Sequence, residues 1–398
     1  MNQTIKNNIQ NSFHIWRAEL SHIFKDVGVI LFFFVVPLTY PILYGIIYNT
    51  ETVRDVPLVI VDQSKTSASR EFARKIDASP DVMIVAYAVN MDEAIHMVNK
   101  KKAYGILVIP YEFSKNIHIG KRTSTTLYCD MSSLLHYKAF LLAATEASFE
   151  IGKEIQMRGM PSISQKIDKI TSNPVLYESV ALYNPQNGFA SFLLPAILIL
   201  VIQQTLLLGI SMLAGTSRER NNLGFLIPSN EKYHGTFRII FGKSLAYLTI
   251  YMLVGFWALK IVPHIFNLPQ IAPFATILLF FLPFTLACIF FSMTISCFMK
   301  SREIPMMVIV FTSVPLLFIS GISWPGIAIP DFWKWISHLF PSTFGIQGFI
   351  KLNSMGTELS MASLEYKILW IQTGFYFFTT FFLYRHQVAK RSQRQLQE

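Results

Sequence analysis

Long stretches without a single charge decide what this chain can become. From Val27 to Thr50, and again from Ser179 to Ser217, no Lys, Arg, Asp or Glu occurs. A helix crossing about 30 Å of hydrocarbon needs about 20 mostly apolar residues. In lipid only a helix or a closed barrel satisfies its own backbone, so runs of this length read as spanning helices. Hydrophobic residues make up 52% of the 398-residue chain and charged ones 15%, which excludes a soluble multidomain enzyme. Cys129, Cys288 and Cys297 form no CxxC pair, so neither a disulfide framework nor a four-cysteine zinc site is expected.

Six spans are predicted: Val27 to Thr50, Phe189 to Leu213, Gly242 to Val262, Pro273 to Phe298, Ile304 to Ile322 and Tyr366 to Tyr384. Lys243 and Lys260 fall near the ends of the third, where long side chains can snorkel to the headgroups. The first span follows a polar leader and is too long for a signal core, so it is expected to stay uncleaved. With both termini inside, the leader, the loops after spans two and four and the tail hold 14 basic residues. The short outer loops hold only Lys260, Lys334, Lys351 and Lys367. Membrane topology thus accounts for most of the formal +10 charge, and nucleic-acid binding is not indicated.

The expected fold is a polytopic α-helical membrane protein of six spans with an inserted external α/β domain. Its divisions are an amphipathic leader (1–26), span one (27–48), the external domain (49–188), spans two to six (189–384) and a basic tail (385–398). Within 189–384 lie a cytoplasmic loop (214–238) and an outer re-entrant hairpin (321–349). In the leader, Ile5, Ile9, Phe13, Trp16, Leu20 and Phe24 recur every three or four residues, the stripe of a helix lying in the inner interface or packed on the protein. In the inserted segment, Val56–Val61, Val82–Ala88, Tyr104–Ile109 and Thr123–Cys129 read as strands alternating with helices, which implies a mixed or mostly parallel sheet. The hairpin sets Pro325, Pro330 and Pro341 among Trp324, Phe332, Trp333, Trp335 and Phe340, the texture either of short helices dipping into the outer leaflet or of a plain amphipathic outer loop.

Catalytic signals are weak. Gly235 to Ser244 ends in Gly-Lys-Ser, but the position five residues before Gly242, where a phosphate loop needs its first glycine, holds Phe237, and no strand precedes it. No HExxH or His/Cys cluster occurs. Asp62, at a strand end before a helix, reads as a cap. Gln203, Gln204 and Thr205 in span two and Thr249 in span three are the candidate substrate-path residues, although polar groups at that depth also join helices by hydrogen bonds. The loop 214–238 has an apolar patch ended by Pro228, which suits insertion into a groove on a partner, while its polar composition equally suits a solvated connector.

One span, a large inserted domain, five further spans, Arg218-Glu219-Arg220 in the first inner loop and a Pro-rich outer hairpin together resemble the permease subunits of type-2 ABC exporters, in the subgroup with a large external domain between spans one and two. The resemblance assigns ATPase coupling to Arg218, Glu219, Arg220, Gly224, Phe225 and Pro228. It assigns an outer gate to Ser320, Gly321, Pro325, Pro330, Pro341 and Thr343, and Phe241-Gly242-Lys243 resembles the family's Gly-Lys at the start of span three. It implies no catalytic residue, metal or cofactor in this chain, ATP and Mg residing on a separate nucleotide-binding ATPase subunit. It further implies a bacterial inner-membrane exporter of an amphiphilic or hydrophobic substrate, working as a homodimer or with a related permease, with a periplasmic adaptor and outer-membrane channel as further partners. The rival readings are a membrane-anchored sensor or assembly scaffold with an extracytoplasmic ligand-binding domain, and a membrane enzyme, for which no cluster of acids or histidines is found at one membrane face.

Overall fold

A computed structural model describes residues 2–158, 182–184, 188–219 and 235–395, with side chains for 11–155, 182–184, 188–219 and 235–389. The chain divides into two compact units, Met1–Glu51 with Ala181–Glu398, and Thr52–Val180.

The first unit is helical. Its helices are α1 (Asn2–Lys25) and α2 (Val27–Ile47) before the insertion and, after it, α7 (Phe189–Glu219), α8 (Thr236–Ile265), α9 (Phe274–Ser296), α10 (Ile304–Ile319), α11 (Asp331–Ser337), α12 (Pro341–Asn353) and α13 (Ser363–Gln395). Each of the six predicted stretches is helical. Among the described residues, α2, α7, α8 and α9 are long and apolar enough to cross a membrane. α10 is apolar but has 16 residues, short of a full crossing. α13 has 33, roughly 50 Å of helix at 1.5 Å per residue. However, it mixes Gln372, Thr373, Tyr376, Thr379 and Thr380 into its charge-free run.

Burial ranks these helices. In the most apolar window of α7, 83% of the residues are buried, against 22% for α2. A helix that is apolar all round needs cover on every side, from protein or from lipid. α7 is therefore the centre of the unit and α2 its flank. The core joins α7 through Leu198, Ile202 and Leu206 to Phe280, Phe284 and Ile289 of α9 and to Leu369 of α13. α2 and α8 each contain a π-helical turn, at Leu31–Val35 and Trp257–Ile261.

The Thr52–Val180 unit has strands β1 (Val56–Asp62), β2 (Val82–Tyr87), β3 (Gly105–Ile109) and β4 (Thr126–Cys129), with helices α3 (Ser67–Asp77), α4 (Met91–Asn99), α5 (Phe113–His118) and α6 (Leu134–Arg158). The sheet order is β2-β1-β3-β4. β1 runs parallel to β2 and β3, and β4 antiparallel to β3. Leu58 and Ile60 pack with Phe72 and Ile76 of α3 and Phe140 of α6, whereas Val59 and Val61 pack with Ala94 of α4. Burial on both faces explains why Val56–Val61 shows no alternation. Asp62 is not the N-cap of α3. Thr66 is, in a capping box with Ser69, while the Asp62 carboxylate braces the turn by accepting from the Ser64 and Lys65 amides.

Candidate functional site

The residues singled out by sequence fall at two places in the helical unit, the α7 end with its neighbours and the hairpin with the middle of α7. At the first, α1 lies along α8. A Cβ on Gly242 would stand 2.7 Å from the Ile15 Cβ and 2.8 Å from the Ser12 carbonyl oxygen, so only glycine permits this approach. The next residue, Lys243, does not snorkel as expected. Its side chain is 4% exposed, as is that of Glu19, and its Nζ lies 3.0 Å from Glu19 Oε2. The Tyr247 hydroxyl donates to the other Glu19 oxygen. Ser217 of α7, Ser296 of α9 and Tyr384 of α13 border the same space, so five helices converge on the pair.

The leader's buried face differs from its apolar stripe. Ile15, Glu19 and Ile23 point inward, while Phe13 and Phe24 face outward. Spacing by four puts Glu19 on the same face as the two isoleucines, a register that an apolar-stripe reading passes over. Trp16 Nε1 donates to Thr249 on α8 (3.3 Å), and Thr249 donates to the Leu245 carbonyl (2.7 Å). Lys260, also expected to snorkel, donates to Gln270 at 3.0 Å.

A second charged cluster joins α2, α7 and the turn between α9 and α10. Asp26 caps α2 by accepting from the Gly28 and Val29 amides (3.0 and 3.2 Å). It also holds Arg302 through both guanidinium nitrogens, at 2.6 and 2.9 Å. Arg302 reaches Thr216 at 3.3 Å, and its backbone amide donates to Glu219 at 2.9 Å. Arg218 donates to the Ser296 carbonyl at 3.0 Å and to the Met299 carbonyl, capping the end of α9 with a cation as the helix dipole favours. Of the predicted coupling residues, Arg218 and Glu219 therefore anchor the α7 end to the α9–α10 turn. Arg220, Gly224, Phe225 and Pro228 lie outside the described residues. Sequence reading missed Glu19, Asp26 and Arg302 as site residues. The available signals were the four-residue register of Glu19 and the place of Asp26 directly before an uncharged run.

The predicted gate residues form a turn and two short helices. Ser320 is buried, its carbonyl accepting from Gln347 (3.3 Å). Gly321 takes φ +88°, open to glycine and unfavourable for other residues. Pro325 opens a 3₁₀ turn, Pro330 precedes α11 and Pro341 is the first residue of α12. A helix start lacks a partner for its first amides, so proline costs little there. Thr343 donates to the Ser337 carbonyl (2.8 Å), tying the two helices together.

The candidate path residues differ in what occupies them. Gln203 accepts the Ser342 amide at 2.6 Å and so caps α12 from the middle of α7. Thr205 donates to the Val201 carbonyl of its own helix. Gln204 Nε2 is buried and meets no acceptor among the described residues. No group of three or more His, Cys, Asp or Glu placed to hold a metal ion occurs among the described residues.

Long apolar helices, held together by buried hydroxyls, amides and ion pairs and interrupted by a separate α/β unit, define a polytopic helical membrane protein. A family model described as ABC-2 family transporter protein matches residues 28–382, and the chain belongs to that family. It is therefore the transmembrane component of an ABC transporter, a multi-pass membrane protein whose family implies an ATPase partner. No curated protein matches the chain.

Proposed function

We propose that this chain is the permease of a type-2 exporter, in the subgroup whose inserted domain lies outside the cell membrane. It crosses the bacterial inner membrane six times with both termini in the cytoplasm. α10 and α13 supply the fifth and sixth crossings, α10 making up its short length with the residues that follow it. A separate subunit hydrolyses ATP with Mg. The chain functions as a homodimer or with a related permease, and a periplasmic adaptor and outer-membrane channel complete the route. The substrate is amphiphilic or hydrophobic, as suits a helical unit whose central helix offers amides and hydroxyls rather than charges at mid-depth.

The observation that carries this reading is the family match over residues 28–382, which takes in both the apolar helices and the inserted unit. The anchoring of Arg218 and Glu219 to the α9–α10 turn supports the coupling role of the loop that follows them, since a push on that loop would be passed to α7 and α9 together. The gate role is supported by Ser320 and Gly321, which end α10 beside Gln347 of α12, and by Thr343, next to the Ser342 that bonds Gln203 of α7.

The test has two arms. Affinity-tagged protein drawn from its native membranes is expected to bring with it a vanadate-sensitive ATPase of separate mass; ATP hydrolysis by the purified chain alone would overturn the reading. In a cysteine-free background, Tyr111→Cys, at an exposed position, is expected to react with an impermeant maleimide in intact spheroplasts. Protection until lysis would place the inserted unit inside.

A further inference from the structure

The Thr52–Val180 unit carries an open groove of about 880 Å³ beside the carboxyl ends of β1 and β2, the end at which open parallel sheets take ligands. Its volume falls within the roughly 300–1,000 Å³ of small-molecule sites. One wall is the outer face of α3, where Arg70 and Arg74 stand four residues apart and so point the same way. Lys65, in the turn before α3, adds a third cation. The facing wall is apolar, with Tyr87 58% and Val89 83% exposed.

Asp62 lines the groove and Asp77 lies within electrostatic reach of Tyr87, and both carboxylates are already hydrogen-bonded. Asp62 accepts from two amides and, at 2.7 Å, from the Ser69 hydroxyl. Asp77 accepts the Ile84 amide at 2.8 Å. Among the described residues, none of the three cations is ion-paired, whereas Lys75 on the same helix binds both Glu150 and Glu154. Like charges four apart work against a helix, and an anion bridging the two guanidinia reverses that effect, with geometry suited to a planar or tetrahedral oxyanion. β2 is an edge strand, but the Ile84 amide and the Val89 amide just beyond the strand are taken by Asp77 and Glu93. This partly closes the edge to a strand from another protein and favours a small molecule.

We propose that this groove binds an amphiphilic anion, with its sulfonate, phosphate or carboxylate on Arg70 and Arg74 and its apolar body on Tyr87 and Val89. The site does not depend on the transport reading, and each can fail without the other.

The test uses the full chain in zwitterionic lipid nanodiscs, titrated with the fluorescent anion anilinonaphthalene sulfonate and with the uncharged phenylnaphthylamine. A saturable component is expected for the anion only. Arg70→Gln/Arg74→Gln, which keeps good helix formers, should weaken it roughly tenfold to a hundredfold, as charged hydrogen bonds of this kind imply. Raising the salt from about 0.1 to 1 M, which shortens the Debye length from about 10 to 3 Å, should weaken it as well. Tyr87→Ser should reduce binding with the charge unchanged. Equal binding in the double variant, or equal binding of the uncharged dye, overturns the proposal. So does displacement of the dye by an acidic peptide at concentrations where free dodecanoate has no effect, since the groove would then belong to a protein partner.

Discussion

Replacing Glu19 with alanine tests whether the buried pair on α1 and α8 holds the leader to the membrane unit. The change leaves Lys243 charged and nearly inaccessible to water, and it removes the acceptor of the Tyr247 hydroxyl. Breaking a buried ion pair from one side costs about 3–5 kcal/mol, whereas exchanging both partners for apolar residues of similar size is often neutral. At roughly 2–4 °C per kcal/mol for a unit of this size, Glu19→Ala should lower the midpoint of thermal unfolding by about 6–20 °C. Cys288, fully buried, serves as the reporter, through a maleimide that fluoresces on reaction once Cys129 and Cys297 are replaced. A second reporter, Ile23→Cys, reads local release of α1, because Ile23 is buried in the parent. The double variant Glu19→Met/Lys243→Met should recover most of the loss. If the single variant melts with the parent and keeps residue 23 protected, or the double melts lower than the single, the pair does not clamp these helices and the argument fails.

Three other outcomes follow from the same contacts. Glu219→Ala should lower the ATPase rate of the co-purified complex with little change in melting, because Glu219 is exposed and such contacts contribute less than about 1 kcal/mol; unchanged ATPase coupling would refute the loop assignment. Gln203→Leu strands the Ser342 amide and should destabilise by about 1 kcal/mol, seen as hydrogen exchange at the start of α12 rising well above that of Gln203→Glu, which keeps an acceptor. In the inserted unit, the hydrogen bonds from Lys101 and Ser132 hold the Asp130 carboxyl well below its usual range. A lowered folded-state value means the contribution is complete above the unfolded carboxylate pKa of about 3.9 and is lost only as pH falls through the lower one. Asp130→Asn should therefore weaken urea resistance at pH 7, the deficit closing only in strong acid.

What could be read from sequence was governed by range. The strands of the inserted unit announce themselves locally, because Val56–Val61 and Tyr104–Ile109 are dense β-formers bounded by turn residues, and the structure places strands at both. Arg218 and Glu219 stood out through a short motif. Lys243 was misread because its partner lies 224 residues away on α1, and nothing at positions 240–246 distinguishes a lysine that reaches for water from one that is paired. Gln203 was singled out for its depth, but its hydrogen bond to Ser342 needs the hairpin to return to α7, which no local pattern encodes.

The polar contacts also divide by kind along the helices. Around α1, Asp26 and Arg302 the helices are fastened by ion pairs, of which Glu19–Lys243 is almost fully desolvated. Among the described residues, the polar contacts at the foot of the hairpin are neutral: Ser342 to Gln203, Thr343 to Ser337, Gln372 to the His338 carbonyl and Tyr376 to the Leu339 carbonyl. Bonds of that sort between membrane helices average about 0.6 kcal/mol, several times less than separating a buried pair. Within the hairpin, Lys334 and Asp331 pair at 3.2 Å on the exposed side of α11, whereas Lys351–Glu365 at 2.6 Å ties the far end of α12 to α13. By polar contacts alone, the α12 foot costs less to separate from α7 than the charged clusters do, while Lys351 retains its other end. The charged clusters would meanwhile move as one body with α1, α7 and the α9–α10 turn. On the proposed reading, a carrier energised from one side needs that asymmetry, since a base that yielded as readily as the proposed gate would absorb the push before it reached the proposed path.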